Sequence, residues 1–148
     1  TINNPLSYYD YLGLYTEEER QKVCNQAAED GLDNGDDGGV ICKDGTPYPC
    51  IWNTALVWDS KVQGCAMKHE ESHRDDENLS CPTCGTDRLK APKDVLNQSE
   101  CDALKAELEC LNGLVDSGEC GNTGEGCLGW ITRHQRATGE RNRLGCTN

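Results

Sequence analysis

The chain has 148 residues, enough for one domain with a modest core, and it carries a net charge of −12 at pH 7. This charge argues against nucleic acid or an anionic membrane surface as a partner, because phosphates attract Lys and Arg. Hydrophobic residues make up only 35% of the chain and Phe is absent, so the small apolar core needs another source of stability. No run of about 18 apolar residues occurs, and no membrane span is expected.

Cysteine is the expected source of that stability. The sequence contains 11 cysteines, a density typical of disulfide-rich proteins that mature in an oxidising compartment. The odd number leaves at least one thiol free, joined to another chain or used otherwise. Cys81 and Cys84 stand close together, but a zinc ribbon needs a second close pair, so we expect a structural disulfide or two half-bridges there. Sequence alone leaves the pairing open.

The first predicted elements are a helix and a pair of strands. Thr16 and Glu19 have the spacing of a capping box, so a helix is expected to begin there and to end near Gly31. Residues 40–53 read as short strands around an Asp-Gly turn, although two prolines make a regular hairpin doubtful.

Between these elements lies an acidic, Gly-rich segment over residues 30–39, for which we predict a solvated loop. The alternative is a calcium site formed by Asp33, Asp36 and Asp37. Their spacing does not match an EF-hand loop, and no Glu closes the segment, so the loop is the preferred interpretation.

The rest of the chain is predicted to be mostly helical. Residues 54–75 read as one or two helical pieces, and 98–114 form the clearest helix because Leu104, Leu108 and Leu111 repeat at helical spacing. The sequence therefore predicts an α-rich α+β fold in which two central helices cross beside a small strand region. The other predictions are a polar loop over 76–96, a Gly-rich loop over 112–129, a last helix over 130–138, and Asn97 or Ser99 as the cap of the long helix.

A candidate metal site stands at the end of the second helical segment, in the run His69-Glu70-Glu71-Ser72-His73. On a helix, His69 and His73 lie one turn apart on one face, where both imidazoles can bind one tetrahedral Zn²⁺. Glu70 points toward the same side and can reach a water on the metal without being a ligand. This pattern predicts a zinc-dependent peptidase with Glu70 as general base. It resembles the His-Glu-x-x-His (HExxH) motif of zincin-like metallopeptidases, and the resemblance implies a zincin-like fold. An exposed polar helix end is the alternative.

Zinc needs a third protein ligand. Glu100 and Glu107 share one stripe of the long helix at the edge of its leucine face, where a carboxylate is costly unless it is paired or bound to a cation. Glu100 is the preferred ligand, because Glu100-x-x-Ala103 resembles the second-helix motif of thermolysin-like peptidases. Glu107 is the alternative, and Asp87 is third because the Gly-Thr-Asp run that ends there is similar to the Gly-Thr-x-Asp of aspzincins. A solvated helix with surface acids is the interpretation without a metal.

The expected chemistry is amide hydrolysis. Zn²⁺ would polarise the scissile carbonyl, and Glu70 would pass a proton from the attacking water to the leaving amine. The oxyanion needs a second donor, for which Tyr48, Arg133 and His134 are candidates. A plain surface position is the alternative for His134.

Near its start the sequence carries the run NPLSYYDYLGL over residues 4–14. This run resembles the end of the conserved core of rearrangement hot spot (Rhs) proteins, which reads N-P-x-x-Y-x-D-P-x-G-L, with Tyr11 in place of the Pro. The resemblance implies that residues 1–14 end an Rhs core, that Asp10 takes part in self-cleavage after Leu14, and that residues 15–148 form the toxin domain.

The long helix carries a Glu-x-x-Ala…Glu-x-x-Cys-Leu run from Glu100 through Leu111. Rhs toxin tips that combine such a run with His-Glu-x-x-His are similar to this chain. The resemblance implies an interbacterial effector, carried in an Rhs core shell, delivered by type VI secretion and neutralised by a cognate immunity protein. We expect it to act in the periplasm of a target bacterium on a protein or peptide substrate. The alternatives are a disulfide-rich binding or structural module without catalysis and a zinc hydrolase of a non-peptide amide.

Overall fold

The computed structural model describes residues 15–147. The Rhs-like segment 1–14 and Asn148 lie outside them, so the predicted domain boundary and the cleavage after Leu14 stay predictions. Within the described residues, four α-helices and a three-stranded antiparallel sheet confirm the predicted α-rich class with a small strand region. In chain order the elements are α1 (Glu17–Glu29), β1 (Gly38–Lys43), β2 (Thr46–Ile51), a 3-10 helix (Asn53–Val57), α2 (Ser60–Arg74), β3 (Thr86–Arg88), α3 (Lys93–Asp116) and α4 (Trp130–Leu144).

Helix α1 begins with the predicted capping box. The Glu19 backbone N–H donates to Thr16 Oγ1 at 3.1 Å, and the Thr16 N–H donates to Glu19 Oε1 at 3.0 Å, so two donors of the first turn are bonded. The helix ends at Glu29, and Gly31 follows in left-handed backbone with a φ of 79°. Both predicted ends of this helix are therefore confirmed.

The hairpin of β1 and β2 is regular, which corrects the doubt raised by its prolines. Asp44 and Gly45 form the two-residue turn, with φ of 49° and 91°. Pro47 and Pro49 lie at alternate positions of β2, an edge strand, where their nitrogens face away from β1 and no ladder hydrogen bond is lost. The Pro49 carbonyl instead accepts a hydrogen bond from the Arg20 guanidinium of α1 at 2.9 Å.

Strand β3 corrects the prediction of a continuous loop over residues 76–96. It pairs antiparallel with β1, with Ile41 opposite Arg88, and completes the sheet order β2-β1-β3. Three residues are too few to show an alternating pattern, and their pairing depends on a strand far away along the chain. The Cys42–Cys81 disulfide ties the same segment to β1.

Helix α2 carries the HExxH residues in its last turns, as predicted. It begins after Asp59, whose Oδ1 accepts the Lys61 backbone N–H at 2.9 Å. It ends at Arg74, one residue beyond His73. His69 and His73 therefore share one face of a regular helix.

Helices α3 and α4 are longer than predicted. Helix α3 already begins at Lys93, directly after Pro92, so neither Asn97 nor Ser99 caps it. Ser99 is instead buried within the helix. Helix α4 continues to Leu144. Its second half is polar and has no apolar stripe, so the sequence pattern did not predict it. Helix α3 packs against both α2 and α4.

Two apolar clusters and five disulfides hold these elements together. One cluster joins α1 to the sheet around Tyr15, Ile41 and Trp52, and the other lies between α2, α3 and α4 around Val62 and Leu111. Disulfides at this density are typical of extracellular or periplasmic proteins. They are Cys24–Cys50, Cys42–Cys81, Cys65–Cys110, Cys101–Cys146 and Cys120–Cys127.

The Cys81-x-x-Cys84 motif provides one half-bridge, not a local disulfide or two half-bridges. Cys81 is bonded to Cys42, and Cys84 is an exposed free thiol, which accounts for the odd cysteine count. Among residues 15–147, none of the helices combines the length and the apolar character needed to cross a membrane.

Candidate metal centre

A pocket of about 470 Å³ lies where β1 faces helices α2, α3 and α4. Each of these elements contributes side chains or backbone to its wall: β1 its first glycines, α2 the HExxH residues, α3 the carboxylate of Glu100, and α4 the guanidinium groups of Arg133 and Arg136. The predicted site residues on α2 and α3, which are far apart in the sequence, are thus neighbours in space.

Helix α2 presents three potential ligands at the wall of this pocket. His69 and Glu70 are buried, and His73 is partly exposed. The two imidazole rings lie one helical turn apart, with centroids separated by 5.0 Å. Ligand atoms of the three residues lie within 4.8 Å of one another, and they form the one such group of three or more found among residues 15–147.

Glu100 of α3 faces both histidines. Its Oε1 lies 2.8 Å from His73 Nε2 and 3.3 Å from His69 Nε2. Two imidazole nitrogens and a carboxylate oxygen therefore converge on one point at the pocket wall. This is the donor set of a tetrahedral site that keeps one position for water.

The other ring nitrogens of the histidines have partners on the far side. His69 Nδ1 lies 2.9 Å from Glu107 Oε1, and His73 Nδ1 lies 2.8 Å from Ser99 Oγ. The Glu107 carboxylate accepts a hydrogen bond from a proton-bearing Nδ1 of His69, and the Ser99 hydroxyl can do the same for His73, so Nε2 is the ring nitrogen at which a cation would replace a proton. Sequence reasoning missed Ser99 in this role, because its position in α3 also suited a helix cap.

Glu107, the alternative third ligand, reaches His69 from the side opposite to Glu100. Its carboxylate is fully buried and forms a two-pronged ion pair with Arg133 of α4. Burial raises the pKa of Glu107, but hydrogen bonds from His69 and Arg133 outweigh burial and hold that pKa below its ordinary value. Glu107 is therefore charged, and its carboxylate is already bonded to Arg133 and to the Nδ1 side of the His69 imidazole.

The charges of the cluster favour a bound cation. Burial lowers the pKa of His69, but the three carboxylates around it outweigh this effect and raise that pKa to about 10. Burial raises the pKa of Glu70 above its ordinary value, although the two imidazoles oppose the shift. Burial also raises the pKa of Glu100, but hydrogen bonds from His69 and His73 outweigh it and lower that pKa. The pocket thus stabilises positive charge at the point where the three donors meet.

Two glycines of β1 lie against the site and were missed by the sequence reasoning. A Cβ at Gly38 would stand 2.5 Å from Glu70 Oε2, and one at Gly39 would stand 2.7 Å from Arg88 Nη2. Gly38 therefore allows the strand backbone to lie directly beside Glu70, and Gly39 allows the Arg88 guanidinium to lie against the same strand. The Gly-Gly pair at the start of a strand was the available signal, because glycine inside a strand marks a close approach.

The remaining candidates are mostly placed elsewhere. Asp87 of β3 accepts a hydrogen bond from Lys90 Nζ at 2.8 Å and does not line the pocket. Tyr48 packs on Tyr15 in the α1–sheet cluster. His134 stacks on Trp130 and also lies outside the pocket lining. Of the three oxyanion candidates, Arg133 is the one that reaches the pocket wall.

The acidic loop before β1 is held by protein donors. The three aspartates considered as calcium ligands each accept a hydrogen bond from a side chain, and this arrangement favours the predicted loop over a calcium site. The pairs are Asp33 with Asn53, Asp36 with Arg88, and Asp37 with Thr54 and Arg136.

Comparison with known proteins adds no family to this geometry. No protein-family model, curated protein or solved structure matches the chain. The Rhs and zincin-like resemblances therefore rest on the sequence motifs quoted above.

Proposed function

We propose that the chain is a zinc-dependent peptidase that acts as an Rhs-type toxin on target bacteria. One observation carries the peptidase proposal: His69 Nε2, His73 Nε2 and Glu100 Oε1 meet at the pocket wall, with Glu70 beside them. The donor set of two imidazoles and one carboxylate suits Zn²⁺ better than Mg²⁺ or Ca²⁺, which prefer oxygen ligands.

The residues present fit the ion. His69 and His73 would hold it through Nε2, because their Nδ1 atoms are directed to Glu107 and Ser99. Glu100 would be the third ligand through Oε1. When bound, Zn²⁺ supplies a Lewis acid that polarises a carbonyl and lowers the pKa of water.

Glu70 is suited to move the proton. Its Oε2 lies 4.0 Å from His69 Nε2, which is beyond hydrogen-bond distance but close to the point where the donors meet. Burial raises the pKa of its carboxyl group above the ordinary value, which makes the Glu70 carboxylate a stronger proton acceptor. Glu70 therefore takes a proton from the attacking water and delivers it to the leaving amine.

The toxin role rests on residues 4–14 and on the cysteines. Five disulfides suit the periplasm of the target cell. The Rhs-like segment supports delivery with an Rhs core shell through a secretion system, and such a toxin needs a cognate immunity protein in the cell that makes it. The proposed substrate is a protein or peptide of the target bacterium.

Metal analysis combined with a Glu70→Gln variant tests the peptidase proposal. We expect one zinc per chain in both proteins, and hydrolysis of a mixed peptide library by the parent alone. The variant should lose about 10²–10⁴-fold in rate, the usual contribution of general acid–base catalysis. A parent without stoichiometric zinc would favour the binding module. A parent that binds zinc and hydrolyses non-peptide amides, but no peptides, would favour the non-peptide hydrolase.

A further inference from the structure

Glu107 is a fully buried carboxylate at the end of the metal cluster. One of its oxygens contacts His69 Nδ1, and both oxygens accept hydrogen bonds from the Arg133 guanidinium, through Nε and Nη2. A buried carboxylate is costly unless it is paired and fully hydrogen-bonded. Arg133 is the cation that makes this position tolerable for Glu107.

The place of Arg133 is itself fixed by packing. Its side chain is buried, and its Cζ lies 5.6 Å from the centre of the Trp58 ring. Trp58 in turn fits against a glycine, because a Cβ at Gly129 would stand 2.6 Å from Trp58 Cδ1. The guanidinium therefore has an aromatic ring on its face and a carboxylate at its edge, and both restrict its orientation.

We propose that Arg133 is a positioning residue for the metal site. It holds the Glu107 carboxylate through two parallel hydrogen bonds, and this carboxylate orients the His69 ring so that Nε2 faces the other donors. This inference rests on the proposed zinc peptidase function. It means that α4, which supplies none of the three proposed ligands, still determines how well α2 and α3 bind the metal.

Four variants test the proposal in the full chain. Arg133→Met removes the guanidinium, Arg133→Lys keeps the charge without the fork, Glu107→Gln removes the carboxylate charge, and a double variant combines Arg133→Met with Glu107→Gln. The matched control is Arg141→Met, because Arg141 also lies on α4 and donates to α3, but to the Cys101 carbonyl oxygen at 2.9 Å.

Two measurements are made on each protein: the zinc dissociation constant by chelator competition, and the His69 Nδ1–H signal in ¹H–¹⁵N spectra of the zinc-loaded protein. We expect Arg133→Met to weaken zinc binding by about 10–100-fold and to shift or remove that signal. Arg133→Lys should fall between parent and Arg133→Met. The double variant should be no weaker than the worse single variant, because both changes break one chain of contacts.

The outcomes separate the two proposals. If the parent binds zinc but Arg133→Met matches Arg141→Met in zinc affinity and in the His69 signal, the positioning role is wrong and the peptidase proposal stands. If the parent binds no zinc, both are wrong. Arg133→Met could fail to fold because it leaves the buried Glu107 carboxylate unpaired. In that case the zinc affinities of the double variant and of Arg133→Lys decide the question, because the first removes the Glu107 charge and the second keeps a cation beside it.

Discussion

Gly38 illustrates how the site depends on a single missing methyl group. A Cβ there would stand 2.5 Å from Glu70 Oε2 and 3.2 Å from the Cys50 carbonyl oxygen. The residue is paired with Ile51 of β2, so the strand cannot easily move away. A side chain at this position therefore has to displace Glu70.

We expect Gly38→Ala to lower the rate of peptide hydrolysis by about 100-fold, the effect of misplacing a catalytic group by about 1 Å, while zinc content stays at the parent value. Gly64→Ala in α2 is the matched control, because a Cβ at Gly64 has no neighbour within 4 Å. That control should keep its activity and gain about 1 kcal/mol in unfolding free energy. Equal hydrolysis by the two variants would contradict the role given to Glu70.

The identity of the third ligand is a second question at the scale of residues. Glu100 faces both Nε2 atoms, whereas Glu107 contacts Nδ1 of His69 and Asp87 is paired with Lys90. We expect Glu100→Ala to reduce zinc affinity more than Glu107→Gln, whose expected cost is about 10–100-fold. Asp87→Ala should bind zinc like the parent. Zinc titrations that reversed this order would identify a different ligand.

At the scale of elements, the two helices that carry the proposed ligands are cross-linked beside them. Cys65 precedes His69 by one turn of α2, and Cys110 follows Glu107 by one turn of α3. The Cys65–Cys110 disulfide therefore holds α2 against α3 close to the His69–Glu107 contact.

Replacing both cysteines of this bridge with alanine should affect stability and metal binding together. The bridge spans a sequence separation of 45 residues, so its loss should reduce the free energy of unfolding by about 4 kcal/mol in the loop-entropy estimate. We also expect weaker zinc binding, since the helices are no longer held together beside the ligands. Urea unfolding and zinc titration measure the two effects.

The matched control for this bridge is Cys120→Ala with Cys127→Ala, which opens a loop with a sequence separation of only 7 residues. It should cost about 2 kcal/mol and leave zinc affinity unchanged in the folded protein. If both double variants weaken zinc binding equally, the helix cross-link has no special role at the site.

Elements differed in how well their sequences predicted them. The α1 capping box and the HExxH turns of α2 depend on residues three or four apart, and both were predicted. Strand β3 pairs with a strand more distant in the chain, and the start of α3 carries no strong local signal after Pro92. The sequence pattern therefore missed a strand that forms by non-local pairing and the residues that extend a helix beyond its apolar stripe.

At the scale of the whole molecule, the disulfides link folding to the cellular compartment. Ten of the 11 cysteines are paired, and the apolar content is only 35%. A chain with this composition depends on its bridges for stability, and such bridges do not persist in the reducing cytosol. Function should therefore require an oxidising compartment.

We expect the full chain to inhibit bacterial growth when it is exported to the periplasm and to be harmless when it is kept in the cytosol. Growth curves with and without an attached export signal, at matched protein levels, measure this difference. An exported Glu70→Gln variant is the control for catalysis and should be harmless. Equal growth inhibition from the cytosolic form would show that the disulfides are dispensable for toxicity.

The sequence by itself determined what local spacing and composition encode. The shared face of His69 and His73, the α1 cap, the α-rich class and the dependence on disulfides all follow from neighbouring residues or from residue counts. The stripe that carries Glu100 and Glu107 was also visible, because helical periodicity places them on one side of α3.

Only the tertiary structure decided how these pieces meet. Glu100 and Glu107 share one stripe, yet one reaches Nε2 and the other Nδ1 of His69, because the packing of α2 on α3 determines which side of the ring each carboxylate approaches. The partners of the cysteines, the pairing of β3 with β1 and the contact of Arg133 with Glu107 have the same origin. Each joins residues far apart in the chain, and no local pattern records the position of a distant neighbour.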